Sequence, residues 1–376
     1  MPLTRCLKQT KTHHAIIPIA MTIRLDIPFL PEAGYTAFLV AHAPSIHSVY
    51  FSLFAQPAVD ARYRMGPWQE KDLLRYLPRL SKIPKYALIN SRFYHPDWYL
   101  GAGFINGVGD RLMRLREGGL LDGIVFSDFY MLKALGDSPR IKALDLEAVP
   151  SVNAHIRTPR KLRICLELIA EAGFRPPRKI LLDRELNRNP EGLRDMVRVI
   201  RQYHPDMAIG LLANEGCLPD CPYKPAHDAH LALGNMQLAT ECTYRLNADL
   251  GCLQAFRNHP ERIFQSPFIR PEDVDQYASM ISFIKLGGRT LGAAFLQKTI
   301  MAYVERRYDG NLLRLMDTLE ALADSIHLAA DRLPEDFHAK MTACTDNCSD
   351  CGYCRRLSKR AIRCLPLQLP DFRRRA

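Results

Sequence analysis

The sequence of 376 residues has no run of about 18 apolar residues, so nothing in it reads as a membrane-spanning helix. It has no low-complexity tract and no repeat of roughly 20–50 residues, which excludes a solenoid or a propeller. G-x-S-x-G and H-E-x-x-H are both missing, and no Ser, His, Asp set stands out. Peptidase chemistry therefore has little basis in the motifs. The apolar stretch 15–20 follows Arg5, Lys8 and Lys11, but it is only six residues long and is broken by Pro18. That is too short for the core of a secretory signal. Residues 1–20 are expected to be a disordered extension ahead of Met21 and the first strand, and the protein is expected to be cytoplasmic.

What is present is globular in balance, 47% apolar and 24% charged, and long enough for one large α/β barrel with an appendage or for two ordinary domains. The net charge of +11 is unevenly placed. Residues 1–14 hold three basic residues and no acid, and residues 339–376 hold nine basic residues against three acids. The stretch 15–338 is nearly neutral, with 39 basic against 37 acidic residues. The basicity thus belongs to the ends of the chain. It reads either as a solvated tail or as a surface for a phosphate-rich partner such as RNA or an anionic lipid.

Short apolar runs alternate with amphipathic segments over the first 290 residues, the pattern of repeated βα units. Strands are predicted at 23–27, 48–53, 86–90, 123–127, 148–152, 179–182, 208–212 and 282–286. Helices are predicted at 67–81, 106–117, 159–172 (Thr158 as N-cap, Pro159 at the first helical position), 190–203 and 291–307. Eight such units fit a TIM-like (β/α)8 barrel over residues 21–310. A further amphipathic helix is expected over 312–331, within a helical appendage spanning 311–338. A linker over 334–344 then leads into a basic, cysteine-rich tail, 339–376.

In barrels of this kind the chemistry gathers where strands end. The residues so placed are Asp26, Asn90 and Arg92, Ser127 and Asp128, Asn153 and His155, Asp183, Arg184 and Glu185, Cys217, and the Gly287-Gly288-Arg289-Thr290 turn. Each is also a residue type that caps loops or pairs charges. Gly287 and Gly288 ahead of a helix would offer backbone N–H groups to an anion, with Arg289 beside them, and Asn153 would join them in binding substrate.

Eleven cysteines are many for a reducing compartment, where clustered thiols point to metal rather than to disulfides. Cys6, Cys165 and Cys364 stand alone; Cys165 falls on an apolar helix face and Cys364 is expected as a free thiol. The other eight form two sets. Cys217, Cys221, Cys242 and Cys252 follow the seventh strand, with Pro219 and Pro222 stiffening the first pair and His227 and His230 as alternative ligands. Cys344, Cys348, Cys351 and Cys354 fall within eleven residues in the tail. Four thiolates complete either a tetrahedral zinc site or a cubane iron–sulfur cluster. The C-x3-C-x2-C spacing at Cys344 resembles radical-SAM enzymes. It lies beyond the eighth strand rather than after the first, however, and Cys354 would close the open iron site, so that reading is rejected.

Lys179-Ile-Leu-Leu-Asp-Arg-Glu-Leu186, an amphipathic helix, and then a strand ending in Asn214-Glu-Gly-Cys217 resemble the peptidase U32 family. Asn153-Ala-His155 after the fifth strand resembles that family's Asn-containing turn. The resemblance spans residues 20–310 in order and is most specific over 150–255; the tail cysteines lie outside the common pattern. It implies a TIM-like barrel with a [4Fe–4S] cluster on Cys217, Cys221, Cys242 and Cys252, and a pocket lined by Arg184 and Glu185. Several branches of that family support oxygen-independent hydroxylation of quinone precursors or RNA bases. The expectation is an iron–sulfur oxidoreductase acting on a small molecule or RNA base, with His155 or Glu185 moving protons. The tail site would hold a second [4Fe–4S] cluster or zinc, and an electron donor or paralogous subunit would be a partner. The alternative is a zinc protein, RNA-binding or hydrolytic.

Overall fold

The computed structural model describes residues 22–366 except 56, 63–66 and 241. The extension expected over 1–20, with Cys6, and the last ten residues of the tail lie outside the described residues. Eight parallel strands form one sheet: β1 (Arg24–Pro28), β2 (Ile46–Ser52), β3 (Lys85–Ile89), β4 (Gly123–Phe126), β5 (Glu147–Pro150), β6 (Lys179–Leu181), β7 (Ala208–Leu212) and β8 (Phe283–Lys285). Their order is β5-β4-β3-β2-β1-β8-β7-β6, so the sheet curls round until β5 faces β6. The eight strands predicted from sequence are all present. Parallel strands buried on both faces read as continuous apolar runs, and β3 and β4 are buried at every position.

No hydrogen-bonded ladder joins β5 to β6. A single bridge, Glu147 to Arg175, and side chains close the gap. The buried Glu147 carboxylate accepts from Tyr86 Oη at 2.9 Å, from the Arg178 backbone N–H at 2.7 Å, and from Arg178 Nε and Nη2 at 3.0 and 2.7 Å.

The helices between the strands follow their sequence signals. Helix Pro159–Glu171 starts where Thr158 Oγ1 accepts from the Lys161 N–H and buries Leu162, Cys165 and Ile169. Helix Pro190–Tyr203 starts where Asn189 accepts from the Gly192 N–H and buries Leu193, Met196 and Ile200. Those spacings put three side chains on one stripe against the sheet. Among the described residues no helix is long and apolar enough to cross a membrane.

Beyond β8 the structure departs from expectation. The single helix predicted over 312–331 is absent. The segment forms three short 3-10 turns, Leu312–Leu315, Glu320–Leu322 and Ala330–Arg332, and a strand β9 (Ile326–Leu328) that pairs antiparallel with β10 (Ile362–Cys364). Asn311 is the reason. Its Oδ1 accepts from the N–H groups of Leu313 and Leu328, and its Nδ2 donates to the carbonyls of Ala323 and Ile326. One amide thus takes over backbone groups that a helix would have paired internally. The expected linker over 334–344 contains helix Phe337–Thr342, with Phe337 fully buried. These pieces surround a second apolar core built from Phe264, Phe268, Leu313, Leu328, Phe337 and Leu357, among others.

Inside the barrel the core is partly ionic. Asp26 on β1 accepts from Lys179 Nζ on β6 at 2.8 Å and from Ser48 Oγ on β2 at 2.7 Å through Oδ1, and from Lys285 Nζ on β8 at 3.2 Å through Oδ2. Around this knot lie Tyr50, Leu88, Val125 and Val149 on one side and Leu181, Leu212 and Phe283 on the other. Gly210 on β7 makes room for Phe283: a Cβ there would stand 2.1 Å from the ring.

Two outcomes follow from this interior. Gly210→Ala overpacks it, and urea denaturation is expected to show a loss of about 1–3 kcal/mol. The second concerns Asp26. Burial alone would raise its pKa, but the charges and hydrogen bonds of Lys179 and Lys285 outweigh burial and hold the carboxyl well below the ordinary range. The folded chain therefore binds this proton less readily than the unfolded chain, and the stabilisation present at neutral pH is lost as pH falls below about 4. Asp26→Asn is expected to cost about 3–5 kcal/mol near neutrality. Its deficit against the natural chain should narrow when both are denatured at about pH 3.

Candidate active site at the barrel mouth

The loop after β7 is held residue by residue. The Asn214 side chain accepts from the Gly287 N–H at 2.6 Å and donates to the carbonyls of Gly287 and Leu315 at 3.2 and 2.9 Å. It thereby clips the β7 loop to the β8 loop and to the turn at 312–315. Glu215 is ion-paired with the buried Arg184. Gly216 donates its N–H to Thr318 Oγ1 at 2.8 Å, and a Cβ on it would meet Leu319 at 2.3 Å. Segment 315–319 therefore closes over this side of the mouth, and Cys217 follows directly.

Three adjoining cavities surround this loop. The first is the barrel mouth, about 130 Å³, lined by Arg62, Asn153, Glu215, Cys217, Lys285 and Asp317 among others. The second is lined by His155, Asp183, Arg184, Glu185, Asp220 and Cys221. The third is lined by Cys217, Cys221, His227, Thr243 and Cys252. Cys217 stands on the wall shared by the first and third. Burial pushes its thiol pKa up, the Glu215 carboxylate adds to this, and Arg184 and Lys224 oppose it.

The residues named from sequence for catalysis come together in the second cavity, beside the mouth rather than in it. His155, in the left-handed conformation at φ 51°, sits with Nδ1 2.8 Å from Asp183 Oδ2. Burial would raise Asp183, but the His155 hydrogen bond and the Glu185 N–H bring it below the usual carboxylate range. Arg184 reaches Asn153 Oδ1 at 3.3 Å besides its pair with Glu215. Glu185 pairs with Arg157 and accepts from the Asp220 N–H at 3.1 Å, so it braces the turn that carries Cys221.

Gly287, Gly288 and Arg289, expected as an anion cradle, line the mouth but are largely engaged within the chain. The Gly287 N–H is already taken by Asn214. Gly288, at φ 110°, accommodates Phe295, whose ring would lie 2.1 Å from an added Cβ. Arg289 borders the mouth, but it is buried and its Nη1 and Nη2 lie 3.4 and 3.0 Å from the carboxylate of buried Asp60. The remaining strand-end residues serve as ties. Asp128 caps helix Phe129–Gly136, Asn90 accepts from the Ala61 N–H, and Arg92 donates to the Asn153 carbonyl.

Sequence reading passed over Asp60, Arg62, Lys179, Glu215, Lys285 and Asp317. The signal for the two lysines was available: each is a charge inside a run otherwise apolar enough to be a buried strand. Arg62 and Asp317 pair at 2.8 Å across 255 positions, and no local pattern announces such a pair.

The thiols fit a soft metal in kind. Cys217, Cys221 and Cys252 share one cavity, and burial first, with Cys221 adding to it, raises the thiols of Cys217 and Cys252. Cys242 is the N-cap of helix Thr243–Asp249, next to the cavity-lining Thr243. In the tail, Cys344, Cys348, Cys351 and Cys354 all line one cavity. Burial first, and then the other three thiols, push Cys354 up to about 11. Gln265 Nε2 and the Asp346 N–H donate to Cys348 and Cys344 sulfur, each at 3.4 Å. Among the described residues no three His, Cys, Asp or Glu side chains stand close enough to grip an ion.

No model of a known protein family matches the chain. It is 30% identical over 185 residues to the Uncharacterized protease MJ1657 of Methanocaldococcus jannaschii, a match covering 49% of this chain and 53% of that protein. The chain thus spans about half the length of the curated relative it matches. Among solved structures, the U32 Peptidase Mk0906 aligns over 77% of this chain and 97% of its own, with TM-score 0.42 and 14% identity. A mutant tryptophan synthase alpha-subunit (D110A) from Pyrococcus furiosus aligns over 76% and 98%, with TM-score 0.40 and 11% identity. Both are distant likenesses. Arg184-Glu185-Leu186 after β6 and Asn214-Glu215-Gly216-Cys217 after β7, with Arg184 ion-paired to Glu215 between them, are the segments in which the chain resembles the peptidase U32 family.

Proposed function

We propose that the chain is an iron–sulfur-dependent enzyme of the U32 type. Its reaction is a redox modification, of the oxygen-independent hydroxylation kind, on a small molecule or RNA base held at the barrel mouth. The observation that carries this reading is the position of Cys217, on the wall between the thiol cavity and the mouth. A cluster on Cys217, Cys221, Cys242 and Cys252 would supply one-electron transfer next to the substrate. The protein's own side chains do the rest. The Arg62–Asp317 and Lys224–Asp228 ion pairs line the mouth, Asn153 offers an amide at the rim, and segment 315–319 covers one side. The His155–Asp183 pair is placed to hold a proton beside the Cys221 turn. A peptidase reading has less support: among the described residues, no Ser, Thr or Cys side chain is hydrogen-bonded to His155. An electron donor or paralogous subunit would be the partner, and the tail site would hold a second cluster or zinc.

A second reading, a zinc protein that binds RNA, draws support from helix Tyr353–Ala361. It exposes Arg355, Arg356, Lys359 and Arg360 beside the tail cysteines.

Anaerobic purification followed by iron, acid-labile sulfide and zinc analysis separates the two. The natural chain is expected to be brown with about eight irons, falling to about four in Cys217→Ala/Cys221→Ala and in Cys344→Ala/Cys348→Ala. Zinc alone in the natural chain would sink the redox reading and favour the second. Iron lost only with the tail pair would move the active site out of the barrel. Glu185→Gln, which loosens the Asp220 turn, is expected to weaken iron retention in the barrel site by about tenfold with the fold intact. Chelator challenge, with circular dichroism as the control for folding, measures it.

A further inference from the structure

The barrel knot sets two lysines on one carboxylate, and they are not equivalent. Lys179 is 3% exposed, donates to Asp26 Oδ1 and Ser48 Oγ at 2.8 Å each, and stands 3.9 Å from the centre of the Tyr86 ring. It is pinned. Both lysines border the mouth cavity, but Lys285 is the more exposed, at 13%, and among the described residues its one hydrogen bond is the longer contact of 3.2 Å to Asp26 Oδ2. Its Nζ also sits over the Tyr50 ring, 3.0 Å from the centre. Asp26 carries one negative charge for two amines, so the less firmly held amine is the one that gives up its proton.

We propose that Lys285 is a reactive amine that takes a compact aldehyde or ketone in the barrel mouth as an imine. Amines become nucleophilic when desolvated or set beside a second cation, and Lys285 has both. The groups facing it are Asp26 from β1, Tyr50 from β2, Lys179 from β6 and Arg289 from the turn after β8, with Arg62 and Asp317 on the same cavity. Burial lowers the Lys285 pKa, Asp26 opposes this, and Lys179 adds to it, leaving the group at about 7. At neutral pH it thus holds about a thousandfold more free amine than an ordinary lysine.

The chemistry balances without an oxidant. The nitrogen lone pair forms a C–N bond as the carbonyl π pair moves to oxygen. The protons shed by nitrogen end on that oxygen, which leaves as water, and the C=N bond remains. The cavity, about 130 Å³, is close to the roughly 150 Å³ that accommodates benzene in an apolar protein site. A carbonyl compound of a few carbons is the class that fits. No thiol takes part, so the proposal stands apart from the iron–sulfur reading.

Reductive trapping tests it on the full chain. The protein is incubated with acetone and sodium cyanoborohydride at about pH 7, and the modified lysines are mapped by peptide mass spectrometry. The isopropyl increment is expected on Lys285 at least about tenfold faster than on exposed lysines such as Lys71 and Lys82, slowing as the pH falls below about 7. Lys285→Arg, which keeps the charge but not the nucleophile, should lose the increment while its circular dichroism is unchanged. An unmodified Lys285 beside labelled surface lysines, or the increment on Lys179 in its place, overturns the proposal, and the natural chain alone decides between these outcomes.

Discussion

Asp26 is the point on which the barrel's interior turns. A carboxylate this deep must be paired, and its partners come from β2 and β8, the strands that flank β1, and from β6 further round the barrel. That pairing sets the register of the inner side chains and leaves the space bounded by Tyr50, Leu181 and Phe283. It also draws a line between structural and reactive charge. Lys179 is used up in holding the strands; Lys285 is held by the same carboxylate over a longer contact and with more of its side chain exposed.

Above this floor the mouth is closed by a different kind of tie. Asn214 connects three loops with one amide, and the chain beyond β8 returns to cover the β7 loop at Gly216 and Thr318. Residues 312–366 are therefore more than an appendage. Their apolar core also has Cys252 of the first thiol set and Cys354 of the second packed against it. One residue of each set thus packs against the same core.

Much of this was legible in the sequence, and the physical reasons are plain. Strands buried on both faces announce themselves by composition, and helices with Thr158-Pro159 or Asn189-Pro190 at their starts announce their ends. The cysteine sets were visible because four thiols so close together have few structural uses. The failures are equally specific. The leucine spacing over 312–331 suits a helix, but Asn311 satisfies the backbone from outside it. Gly287-Gly288-Arg289 has the look of an anion site, but its occupants, Asn214 and Asp60, come from 73 and 229 positions away. Sequence pattern reports what a segment offers; it cannot report which distant group has already accepted.

The seam between β5 and β6 has a further meaning. Everywhere else the barrel wall is a continuous hydrogen-bonded ladder, stiff against widening. At this one joint the wall is held by the short Glu147–Arg175 bridge and by the Glu147 carboxylate with the Arg178 and Tyr86 groups around it. Asn153 and His155 are carried just past β5, and Arg184 just past β6. The residues that frame this side of the pocket thus flank the one joint of the wall where side-chain contacts, rather than a full ladder, tie neighbouring strands.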